Sequence, residues 1–224
     1  MVNDIGKELH TKVLLFKKWA ETNYPEINED NDNGEWCFCA EFDEMYSAAV
    51  DMITENSATV ADEQIINDLL YAIARDNECE NIKEILEKHD DWFSLLCRSC
   101  LHSTYTNAKW QFAKGLENYS GNDDLKNLVF EFLSTGDEYT ERMALKSLAS
   151  IDPIQAEKYA LKFWNREIYE HDEYQKIMVL HVLYQIRSVH LDNCLEIAEK
   201  SGYKYLRMNA EEIREKIKAD KSLN

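Results

Sequence analysis

Residues 137–148 read DEYTERMALKSL, and residues 172–183 read DEYQKIMVLHVL. Six of the twelve positions are identical at an interval of 35 residues: Asp137/Asp172, Glu138/Glu173, Tyr139/Tyr174, Met143/Met178, Leu145/Leu180 and Leu148/Leu183. Tyr139, Met143, Leu145 and Leu148 fall mostly at helical spacing, so amphipathicity alone accounts for part of the match. It does not require the shared Asp-Glu-Tyr entry. Nor does it require the short break after each segment, before a second helical pattern. A period of roughly 33 to 38 residues with two helices per unit is the mark of stacked helix pairs. Such a unit cannot bury its apolar face alone and must bury it on its neighbours.

Composition agrees. The 224 residues include only 6 Gly and 2 Pro, which leaves few places to turn a sheet and many residues suited to helices. The fold class expected is all-α. Apolar periodicity predicts helices over 3–22, 36–56, 60–75, 79–89, 92–103, 106–119 and 123–134. It predicts further helices over 138–150, 153–165, 172–188, 190–201 and 203–219. Thr59 with Asp62 has the spacing of a capping box. Gly121, Gly136 and Gly202 fall where helices should stop, and Asp152-Pro153 marks a helix start. Connections of a few residues force consecutive helices antiparallel.

In the segment ERMALKSLASID, Arg142 and Ala144 lead into Leu145 and Leu148 and then a turn Asp, Asp152. KIMVLHVLYQI is a looser copy. This pattern resembles HEAT-type repeats. The resemblance implies a right-handed α-solenoid of antiparallel helix pairs, about 11–12 helices in all. It covers residues 104–224. Residues 1–103 form an acidic N-terminal helical region, either divergent repeats or a cap on the same continuous solenoid.

No motif for chemistry stands out. H-E-x-x-H, G-x-S-x-G, the P-loop and G-x-G-x-x-G are all missing from the sequence. Cys97 and Cys100 share a helix face, but His102 points away and no second Cys pair has zinc-site spacing, so core packing is expected. Cys37 and Cys39 point in different directions on a helix. Trp19, Trp36, Trp92, Trp110 and Trp164 fall mostly on apolar helical faces. No metal and no cofactor is expected. The longest apolar run near the N-terminus is Val13 to Phe16, which suits neither a secretory signal nor a span. A cytoplasmic protein with reduced thiols is expected.

Charge is the informative feature. The formal net charge is −18. Between Lys18 and Arg75 there is no Lys, Arg or His, while that window holds 14 acidic residues. A bland solvated surface accounts for such a run. An electrostatic docking surface for a basic protein accounts for it too, and Glu26, Glu29, Asp30, Asp32, Glu35, Glu41, Asp43 and Glu44 are the expected contact residues. The NEDNDNGE stretch has calcium-loop composition without the bidentate Glu in register. Strong negative charge argues against nucleic acid and anionic membranes as partners.

Three function classes follow. The first is a non-enzymatic protein–protein interaction module. Small acidic helical-repeat proteins of this kind look like immunity or antitoxin-type inhibitors of a cationic toxin. The second is an enzyme, because some HEAT-like solenoids resemble DNA glycosylases with a basic concave face; no basic stripe is found here. The third is a scaffold subunit of a larger assembly.

Overall fold

The computed structural model describes residues 6–25, 39–167 and 172–222. All regular structure among them is helical. The chain divides into two compact units, Met1–Asn118 and Tyr119–Asn224.

The first unit is built around one helix. Helix α1 (Lys7–Asn23) buries Leu9, Val13, Phe16 and Ala20, and α2 (Ala40–Glu55) buries Met45, Ala48, Ala49, Met52 and Ile53. Both pack on α3 (Glu63–Arg75), where every residue from Asp68 to Arg75 is buried. Such all-round burial needs cover on every side. It comes also from α5 (Asp90–Cys100) and α6 (Thr106–Gly115), while the short α4 (Asn81–Leu86) sits against α2. Phe93 and Phe112 meet edge to face at 5.3 Å, tying α5 to α6. A side chain at Gly115 would come within 3.1 Å of the Phe93 ring, which explains a glycine at the end of α6. Polar clips cross the core: Gln111 donates through Nε2 to the Ile73 carbonyl at 2.8 Å, and the Trp92 indole donates to the Asn56 carbonyl at 2.7 Å.

The expected capping box at Thr59 and Asp62 takes another form. Residues Ala58–Val60 make a tight 3-10 turn, and Asp62 itself caps α3, accepting from Ile65 N at 2.9 Å. A short side-chain acceptor one residue before the helix is sufficient for this.

In the second unit, the single helix expected over 123–134 is broken into α7 (Asp123–Lys126) and α8 (Val129–Phe132). Leu128 N bonds the Leu125 carbonyl and Phe130 N the Asn127 carbonyl, so three-residue spacing tightens the chain between them. Then come α9 (Glu138–Ile151), α10 (Pro153–Trp164), α11 (Asp172–Gln185), α12 (Leu191–Glu199) and α13 (Lys204–Ser222). Helix α9 packs on α10 and α11, and α11 packs on α10, α12 and α13.

The same positions are buried in the three long helices. Thr140, Ala144 and Ser147 of α9 correspond to Gln175, Val179 and Val182 of α11, and to Leu206, Ala210 and Ile213 of α13. A second stripe, Leu145/Leu148 and Leu180/Leu183, is fully buried in α9 and α11 but is Glu211/Arg214 in α13, where Glu211 is exposed. Tyr139, Tyr174 and Tyr205 also correspond, and they meet on the surface. The Arg142 guanidinium lies 4.6 Å from the Tyr139 ring centre and 5.5 Å from that of Tyr174, and Tyr174 stacks on Tyr205 at 6.5 Å. Below this row, Arg166 donates to Glu141 and to Gln175 Oε1 at 2.7 Å, tying the α10 end to α9 and α11.

Caps explain the starts and stops. Asp137 accepts from Thr140 N at 2.7 Å, and Asp152 accepts from Ile154 N and Gln155 N at 3.1 Å. Gly136 precedes α9 with φ +79°, a conformation only glycine takes without strain. Helix α11 stops three residues before the expected 188. Arg187 turns left-handed at φ 54°, Ser188 N reaches back to the Leu183 carbonyl, and Arg187 N to the Tyr184 carbonyl. Those two bonds make a Schellman stop, here without glycine.

Candidate functional site

Of the expected contact residues, Glu26, Glu29, Asp30, Asp32 and Glu35 lie outside the described residues. Glu41 and Asp43 occupy the first turn of α2, and Glu44 follows them. That turn is held by Cys39, whose Sγ accepts from Phe42 N at 3.3 Å. Carboxylates there also meet the positive end of the helix dipole. Glu41 is half-buried, while Asp43 and Glu44 are exposed, as are Asp51 and Glu55 further along α2. Glu8 of α1 joins Asp43, Glu44 and Asp51 around one shallow depression. Glu8, Asp51 and Glu55 line another. The result is an acidic band along the α1–α2 surface.

Space adds a cation that the sequence window lacks. Packing of α1 on α2 brings Lys12 Nζ to 2.8 Å from Glu44 Oε2, and this hydrogen bond raises the Lys12 pKa. Two acids of the window are structural. Asp62 is the α3 cap. Asp68 is buried, with His10 Nδ1 at 2.9 Å and a Gln64 Nε2 donor at 3.1 Å; burial raises its pKa.

A second acidic feature escapes any sequence motif. A cavity of about 200 Å³ opens between the start of α2 and the turn joining α3 to α4. Phe42 and Tyr46 of α2 form one wall; Asp76, Glu78 and Cys79 of the turn line the other. Asp43 and Arg75 complete its rim. Asp76 is only 4% exposed because it ties down the turn, its Oδ2 accepting from Ile82 N at 2.7 Å. Burial, with repulsion from Glu80 and Glu84 outweighed by backbone donors, lifts its carboxyl to about 6. The Tyr46 hydroxyl is raised by burial and then by the Asp76 charge. Among the described residues no Lys, Arg or His forms an ion pair with Asp76. The Arg75 guanidinium lies over the Tyr71 ring at 4.9 Å.

Cys97 and Cys100 supply no further site. Both are fully buried in α5, and burial pushes the Cys100 thiol up, away from the reactive thiolate. Cys37 lies outside the described residues. Among the described residues no three His, Cys, Asp or Glu side chains are grouped to hold a metal ion. Nor, among them, is any helix long and apolar enough to cross a membrane. Trp92, Trp110 and Trp164 are buried, so their faces are not stacking platforms. The chain matches no protein-family model, and no curated protein or solved structure is detectably similar to it.

Proposed function

We propose that this chain is a non-enzymatic protein–protein interaction module of the cytoplasm, whose acidic α1–α2 surface docks a basic protein. The observation that carries this reading is the exposed row Asp43, Glu44, Asp51 and Glu55 on one helix. It sits in a stretch of chain that holds 24 Asp/Glu against 10 Lys/Arg over residues 1–118. Like charges packed this closely repel and cost stability, and a cationic partner relieves the repulsion while speeding encounter. The mode of action is steric cover with charge complementarity, in the manner of immunity or antitoxin-type inhibitors of a cationic toxin.

The frame we propose for this surface is a HEAT-like, right-handed α-solenoid. Recurrence of the same buried positions in α9, α11 and α13 supports it. So does the packing of α9 on α11 and α11 on α13.

The test is a capture experiment at low and high salt, followed by association kinetics. The captured basic protein should leave as ionic strength rises, because exposed charges are screened beyond roughly 10 Å at 0.1 M salt. Reversing Asp43, Asp51 and Glu55 to Lys should preserve the helical circular dichroism and slow association by about tenfold or more. Unchanged association rates, or a partner retained at molar salt, would refute the docking surface. Tight binding of the purified protein to DNA would do the same.

A further inference from the structure

We infer that the cavity between α2 and the α3–α4 turn is a socket for the guanidinium group of one arginine side chain on the basic partner. The inference rests on the docking reading above and gives that surface an anchor point.

The walls select the ligand. A cavity of about 200 Å³ is smaller than the roughly 300–1,000 Å³ of sites for drug-sized molecules, and suits one side-chain head. Three carboxylates, Asp43, Asp76 and Glu78, line it against one guanidinium, that of Arg75, which lies over the Tyr71 ring; the lining charge is net negative, so the head should be cationic. A metal ion is a poor fit, since no three ligating groups converge among the described residues. Phe42 and Tyr46 supply an aromatic wall, and a planar, weakly hydrated guanidinium stacks on such rings where the more strongly hydrated lysine ammonium does not.

Asp76 is the centre of the argument. It is nine-tenths buried and held by backbone donors, and no cation pairs with it among the described residues. An isolated buried carboxylate is unfavourable, and a paired one is not. An arriving guanidinium would supply the missing charge and a donor fork matched to a carboxylate. The backbone bond to Ile82 explains why an acceptor stands at position 76, but an asparagine would serve that bond equally well. It does not explain a charge there.

The experiment titrates the nitrogen-15-labelled full chain with N-acetyl-arginine methylamide, and separately with the uncharged isostere N-acetyl-citrulline methylamide. The arginine compound should give saturable amide shifts at Tyr46, Asp76, Asn81 and Ile82, and the citrulline compound should bind about tenfold more weakly or not at all. Asp76→Asn retains the acceptor for Ile82 N, so it should fold and yet lose the arginine response. Tyr46→Leu, which keeps the apolar bulk, should weaken the response by about threefold or more. No saturable shift with the arginine compound overturns the socket, and so does equal binding by Asp76→Asn. A basic protein bound alike by wild type and Asp76→Asn, in a salt-dependent way, removes the socket and leaves the docking surface standing. Arginine shifts without any captured basic protein keep the socket and remove the docking surface.

Discussion

Residues 1–118 carry 24 Asp/Glu against 10 Lys/Arg, a formal −14, whereas residues 119–224 carry 19 against 15, a formal −4. The two regions differ equally in construction. The first wraps unlike helices around α3, with buried polar clips such as Gln111 to Ile73 set individually. The second reuses one pattern of buried positions in α9, α11 and α13 and marks it with a surface row of tyrosines. Regular packing fixes where side chains must point, which leaves little latitude for function. The irregular region has the concentrated charge, the cavity and a buried acid with which no cation pairs among the described residues. Local rules broken without evident structural gain tend to sit at working sites.

The sharpest way to break this contrast is in the repeated stripe. Leu145 and Leu180 are fully buried at corresponding positions. Replacing either by alanine removes buried methyl groups and leaves a void, so each should cost about 2–5 kcal/mol in urea denaturation. A near-zero loss at both would remove these helices from the core of the second unit.

Next in size is Asp76→Asn in the first unit. The fold raises this carboxyl from the usual 3.8 to about 6, so it favours the protonated form. The contribution of this group to stability is therefore fully present below about pH 4 and is lost as pH climbs through 6 and the buried group ionises. At pH 8 asparagine should stabilise by about 1–3 kcal/mol, the upper end being the conversion of the whole shift. Below pH 4 the two proteins should converge. An asparagine variant less stable than wild type at pH 8 would mean that the charge is compensated after all. A stabilising change that abolishes arginine binding is the trade expected where a site is held against stability.

Caps come third. Asp137→Ala deletes the acceptor for Thr140 N and should cost about 1 kcal/mol by the same denaturation. The equivalent entry in α11 differs, because Asp172 is already the first helical residue and is buried. Identical letters thus stand in different roles.

That difference shows what sequence carries. The ranges 138–150 and 153–165 came within one residue of the observed helices because their signals are local: Asp137 and Asp152 cap, and Pro153 starts. The end of α11 was not legible, since its stop depends on Arg187 adopting a glycine-like conformation. The break between α7 and α8 has no Pro or Gly to announce it. At the candidate site, the exposure of Asp43 and Glu44 follows from their phase against Met45 and Ala49. The pairing of Lys12 with Glu44 does not, because it depends on how α1 docks on α2. Nor does the cavity, which exists only where α2 meets the turn at 76–81. In isolation Asp76 reads as one more acid in an acidic chain.

The smallest expected effects lie on the surface of the second unit. Tyr174→Leu keeps an apolar side chain but removes the contact with Arg142 at 5.5 Å and the stack on Tyr205 at 6.5 Å. Tyr174 is 43% exposed, so the loss should be about 0.5–1 kcal/mol. Glu211→Leu probes the same register on α13, where the stripe buried in α9 and α11 is exposed. A leucine there gains no buried partner within the chain, and stability should stay within about 0.5 kcal/mol. If Glu211→Leu instead stabilised the protein by more than about 1 kcal/mol at a concentration where it remains monomeric, α13 would have an apolar neighbour. Its face at Glu211 would then be covered, as Leu145 and Leu180 are in α9 and α11, and the reading of that face as exposed would be wrong. The pair of substitutions thus separates a surface row that locks the register of successive helices from tyrosines that merely sit side by side.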